Sequence, residues 1–165
     1  MKRMLRPFLL CLVFVILAPR QGHATSLRTV NDLIARGDFA AAGVMLITMA
    51  ERGNARAQTM LGFLYETGQG VPQAYDAAAY WYRHAAEQGD TAAQYRLGLA
   101  YDKGHGVPRD DIAAYKWLNL AAARAPAHMR ERYTRLRNAV ATKMTRHQIA
   151  LGQWHALRWP QESDF

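Results

Sequence analysis

A hydrolase that works through a covalent intermediate needs a nucleophile beside its base. This chain of 165 residues offers two serines, Ser26 and Ser163, and one cysteine, Cys11. Cys11 lies inside an apolar N-terminal run, and neither serine is near a repeat element that could orient it. Histidine is scattered. His147 and His155 are eight residues apart, about 12 Å along a helix and too far to share one ion. His84, His105 and His128 stand alone, and Asp102 with His105 makes a single pair, not a ligand set. Asp110-Asp111 has the form of an acid–base carboxylate pair, but at the start of a helix it reads as a cap and a complement to the helix dipole. Gly68-Gln69-Gly70 and Gly104-His105-Gly106 suggest phosphate cradles, yet they lack the lysine of a P-loop and the preceding strand of a dinucleotide fold. The sequence therefore assigns no catalytic residue, no metal and no cofactor.

The two glycine motifs lead back to the elements that hold them, because they recur at a fixed interval. Residues 53–88 align with 89–124 at an offset of 36 without a gap, and 15 of the 36 positions are identical. A period of this size marks a solenoid. Each copy reads as helix, loop, helix. Asn54 and Asp90 sit at N-cap positions, and Ala57, Met60, Leu61, Leu64 and Tyr65 follow at the spacing of one helical face. The G-x-G-V-P run then breaks the chain. A second helix carries Ala77, Ala78, Trp81 and Ala85, or Ala113, Ala114, Trp117 and Ala121. Gly62 and Gly98 fall inside helices, at a cost of about 1 kcal/mol against alanine. A cost repeated at the same place implies a close helix crossing, with a Trp or Tyr filling the space beside the glycine.

The pattern A-x-A-Q-x-x-L-G-x-x-Y-x-x-G-x-G-V-P followed by A-x-x-W-x-x-x-A-A resembles the Sel-one-like repeat (SLR), a relative of the tetratricopeptide repeat. Ala55, Ala57, Gln58, Leu61, Gly62, Tyr65, Gly68, Gly70, Val71, Pro72, Ala78, Trp81, Ala85 and Ala86 carry it. The chain departs from the pattern at Thr91, where alanine is preferred, and at Ala74, where an acidic residue is usual. The resemblance implies an all-α fold, a short right-handed α-solenoid of antiparallel helix pairs. It also implies a role in binding proteins, without catalysis. The β-lactam binding associated with the family's cysteine-rich branch does not carry over, since its disulfide pattern and an S-x-x-K motif are both missing.

Outside the repeats, residues 1–24 read as a secretory signal peptide: Lys2, Arg3 and Arg6 precede an apolar run too short to span a membrane, and cleavage is expected near Ala24. Export would leave the protein periplasmic or secreted. Removing Lys2, Arg3, Arg6 and Arg20 lowers the formal net charge from +8 to +4, a solubility feature more than a nucleic-acid footprint. Residues 25–52 read as a degenerate leading helix pair, with Leu27, Val30 and Ile34 on one face and 39–53 aligning with 75–89. Residues 125–160 read as two capping helices. The first carries Met129, Tyr133, Leu136 and Val140 inward, with Arg130, Arg132, Arg135 and Arg137 around the rest. The second opens on a Thr145/Gln148 capping box, carries Ile149, Gly152, Ala156 and Leu157, and stops at Pro160. A loose tail, 161–165, follows.

What remains for function is surface. In tetratricopeptide-type stacks the first helix of each pair lines the concave face, so the resemblance puts Arg56, Thr59, Phe63 and Glu66 there from one copy. Ala92, Tyr95, Leu99 and Asp102 come from the other. Phe63, Tyr95 and Leu99 fall off the core stripe and either form a docking patch or are covered by the capping segments. The favoured reading is an exported, non-enzymatic module that binds a protein or peptide and no nucleic acid. Two alternatives stand beside it: a cell-wall-directed enzyme or ligand-binding protein, and membrane-surface association through the arginine-rich helix.

Overall fold

The computed structural model describes residues 26–162, so the signal-peptide reading of 1–24 lies outside the described residues. These residues form eight helices: α1 (Leu27–Ala35), α2 (Phe39–Glu51), α3 (Ala55–Thr67), α4 (Tyr75–Glu87), α5 (Thr91–Lys103), α6 (Asp111–Arg124), α7 (Ala127–Ala141) and α8 (Arg146–Glu162). They pack in sequential pairs, and the fold is all-α. Helix starts are fixed by side-chain oxygens that accept otherwise unpaired amide hydrogens. Asn54 accepts from Ala57 at 2.9 Å, Asp90 from Ala93 at 2.8 Å, and Asp110 from Ile112 and Ala113. Ser26 is used in the same way, at Thr29. Ala74, the equivalent of Asp110, caps α4 without a side-chain bond.

The 36-residue period governs packing as well as sequence. Trp81 lies against a cluster containing Ala42, Leu46, Met49, Ala50, Ala57 and Leu61. Trp117 belongs to a cluster containing Ala78, Tyr82, Ala85, Ala86, Ala93 and Leu97. Every member of the second set stands 36 residues after its counterpart in the first. Each tryptophan therefore seats its helix on the preceding unit, Trp117 buried and Trp81 half-buried. A third cluster continues the series with Ala114, Leu118, Ala121, Ala122 and Tyr133. Helix α7 thus occupies the place of a further first helix, its Tyr133 in the register of Leu97.

The repeated glycines are explained by contact distances. A Cβ on Gly62 would meet the Tyr82 ring at 2.7 Å, and one on Gly98 would meet Leu118 Cγ at 2.7 Å. The expected aromatic is present in the first copy; in the second, leucine takes its place. In the loops, Gly70 and Gly106 have φ of 71° and 72° and press their backbones against the first residues of the previous unit's second helix, at Phe39 and Tyr75. Only glycine combines that positive φ with so close an approach.

Helix α8 departs from the simple series and packs along α6. Gly152 lies against Tyr115, and Trp159 meets Trp117 edge-on at 6.0 Å between centroids. The capping box is formed: Thr145 N–H donates to Gln148 at 2.8 Å and Gln148 N–H to Thr145 at 3.2 Å. Two expectations are corrected here. Helix α8 does not stop at Pro160 but runs to Glu162; only two helical residues lie beyond the proline, and helix ends assigned from hydrogen bonds vary by one or two residues. Leu157 does not join the inward stripe and is 78 % exposed, since α8 rests on α6 along the Gly152–Ala156–Trp159 line.

Candidate partner-binding face

Helices α3, α5 and α7 present one face, on which two open depressions flank a narrower one lined by Glu66, Tyr82, Arg96, Leu99 and Lys103. In the first, of about 230 Å³, Arg56, Thr59, Met60 and Phe63 of α3 meet Ile34, Phe39, Ala92 and Arg96. The second, of about 470 Å³, lies between α5 and α7, with Tyr95, Leu99 and Leu136 as its apolar part and Asp102, Lys103, Arg132 and Arg135 around it.

The seven residues expected on this face are not equivalent. Phe63 is 36 % exposed, and Arg56 is exposed beside it. Thr59 is buried, its hydroxyl donating to the Ala55 carbonyl at 3.0 Å. Tyr95 is buried beneath α7, stacked on Tyr133 with centroids 4.3 Å apart and planes 16° from parallel. Leu99 is half-buried against the same cluster. Asp102 accepts from Lys143 Nζ at 2.7 Å. Glu66 lies between the depressions and accepts from both Arg96, at 2.7 Å, and the Tyr82 hydroxyl, at 2.6 Å. Of the proposed patch, Phe63 is open to a partner, Leu99 partly so, and Tyr95 is covered.

Arg96 is the residue that sequence reasoning missed. Its guanidinium stacks over the Phe63 ring at 4.5 Å while bonded to Glu66, so one side chain ties α3 to α5 and fixes the exposed aromatic in place. Nothing local announces it: the two equivalents in register are Met60 and Arg132, and its partners lie 30 and 33 residues away. Burial pushes the Tyr82 hydroxyl well above the usual tyrosine range; the Arg96 charge opposes this and the bond to Glu66 adds to it. Tyr82 is therefore a fixed neutral donor.

Elsewhere, Arg83, Glu87, Asp110, Lys116 and His155 line a shallow depression of about 380 Å³. Asp110 is already engaged as a helix cap there. Among the described residues no group of three His, Cys, Asp or Glu could hold a metal ion. Likewise, none of the described helices is long and apolar enough to cross a membrane.

Comparison with known proteins gives this geometry a context. The model of the Sel1 repeat family matches residues 55–90 and 91–125. The chain is similar to the crystal structure of c5321, a protective antigen present in uropathogenic Escherichia coli strains that displays an SLR fold. That match has 31 % identity and a TM-score of 0.69, covering 75 % of this chain and 26 % of that one. It is also similar to a Sel1 repeat protein from Oxalobacter formigenes, with 37 % identity and a TM-score of 0.55 over 59 % of this chain and 39 % of that one. The chain thus spans about a quarter and two fifths of the lengths of these two structures. A search of curated proteins found no match.

Proposed function

This chain is a Sel1 repeat protein with the SLR fold, of a family that generally mediates protein–protein interactions, and we propose that it serves as a non-enzymatic docking module exported from the cytoplasm. The observation that carries the reading is Phe63. An aromatic ring at the mouth of an open depression, held from one side by Arg96 and flanked by Arg56, has the character of an interface anchor. The segment 1–24 supports export.

Capture of partners from an envelope extract by the full chain tests docking. Phe63→Ala is expected to lose a partner that wild type retains, whereas Trp154→Ala, which removes an exposed aromatic on α8, keeps it. An unchanged partner set with Phe63→Ala would sink the docking face. Alkaline phosphatase fused after residue 52 tests export; activity independent of residues 1–24 would refute it.

A further inference from the structure

The charges on the α3–α5–α7 face are unevenly matched. Its three carboxylates are each held by a cation: Glu66 by Arg96 at 2.7 Å, Asp102 by Lys143 at 2.7 Å and Glu131 by Arg135 at 2.9 Å. Arg56, Lys103 and Arg132 share the face, and none of them has a carboxylate partner among the described residues. Arg132 rests above the Tyr95 ring at 5.4 Å and is exposed. The acids are satisfied internally, and the surplus is positive.

The apolar surface is also uneven. At equivalent positions in register the face carries Phe63, Leu99 and Arg135, and beside them Met60, Arg96 and Arg132. The end near α3 is therefore apolar and aromatic, and the end near α7 is cationic. Side chains link α3 to α5, Arg96 to Phe63 and Glu66, and α5 to α7, Arg132 to Tyr95, so the two depressions follow one another along the face.

We infer that the partner is an extended polypeptide segment with a bulky apolar side chain for the Phe63 depression and, further along the same segment, a cluster of Asp or Glu for Lys103 and Arg132. This rests on the docking reading above and adds to it the chemistry of the partner. A polypeptide fits better than an anionic membrane because the cations border recessed depressions instead of crowning a protruding surface. An apolar pocket in register with them would also go unused by lipid headgroups.

The test uses the full chain and a phage-displayed library of random twelve-residue peptides. The recovered peptides are expected to pair an apolar residue with at least two acidic residues, always on the same side of it along the chain. Synthetic versions followed by fluorescence anisotropy should weaken about tenfold with Phe63→Ser, and about tenfold with Lys103→Gln/Arg132→Gln, whose binding should also become less salt-dependent. Both cations are exposed, but Arg132 rests on the buried Tyr95 ring, so far-ultraviolet dichroism and thermal unfolding check that the double variant keeps its fold. Recovered peptides without acidic bias, or binding indifferent to the double substitution while still sensitive to Phe63→Ser, overturn the acidic partner and leave the docking face standing. Recovery of no peptide sensitive to Phe63→Ser removes both. Flotation with phosphatidylglycerol vesicles that depends on Lys103 and Arg132 would assign the surplus charge to a membrane and overturn the proposal.

Discussion

The Gln88 side-chain amide donates to Oε1 of Gln58 across 2.7 Å, and 36 residues further on the corresponding link is broken. Gln58 and Gln94 both donate to the end of the preceding helix, at Ala50 and Ala86. Arg124 stands where Gln88 would recur, and it lies over Trp159 at 5.6 Å. Gln94 Oε1 is left buried without a partner. An orphaned buried acceptor costs about 1–3 kcal/mol, and the stacked guanidinium returns only about 0.5–1 kcal/mol at an exposed site. Arg124→Gln is therefore expected to exceed Arg124→Ala in stability by about 1 kcal/mol, measured by urea unfolding. Equal midpoints for the two variants would show that the Gln94 carbonyl is already satisfied.

A second asymmetry concerns helix starts. Ala74 and Asp110 have the same backbone at their N-caps, φ −150° and ψ 102° against φ −148° and ψ 105°. Only Asp110 supplies an oxygen. Because the conformation is already set, Ala74→Asp should stabilise α4 by about 0.5–1 kcal/mol, and Asp110→Ala should cost a similar amount at α6. Thermal unfolding followed by circular dichroism would show opposite shifts; a fall in Tm with Ala74→Asp would contradict the equivalence.

The third prediction concerns alkaline pH. Burial first, and the bond to Glu66 with it, raises the folded-state pKa of Tyr82 above that of an unfolded tyrosine, near pH 10. A raised folded value means that the neutral hydroxyl is favoured by folding. Its contribution is complete below about pH 10 and is lost as pH climbs, when the unfolded chain ionises and the folded one resists. Tyr82→Phe should cost about 1 kcal/mol at neutral pH through the lost hydrogen bond and flatten the decline above about pH 10. Parallel curves for wild type and variant across that range would refute the assignment.

The fold could be read from the sequence because duplication preserved the residues that seat one unit on another. Gly62 and Gly98 are kept by the helix that crosses each of them, and Trp81 and Trp117 by matching hollows in the preceding unit. The face was harder to read because its residues answer to neighbours that do not repeat. Tyr95 lies under Tyr133 of α7, a helix that keeps the 36-residue spacing but has lost the glycine loop and most identities. Arg96 has Met60 at one equivalent position and Arg132 at the other, and its partner Glu66 lies 30 residues away, so no pattern marked the bridge. Leu157 followed an amphipathic spacing that the seat of α8 on α6 then rotated outward.

Matching hollows under Trp81 and Trp117 also bear on how such a molecule changes length. Splicing a further copy of 53–88 ahead of residue 89 would create a junction whose two sides already exist in the chain, so neither terminus would need redesign. Size here can grow in whole steps, and each step would lengthen the strip offered to a partner while leaving its two ends chemically distinct.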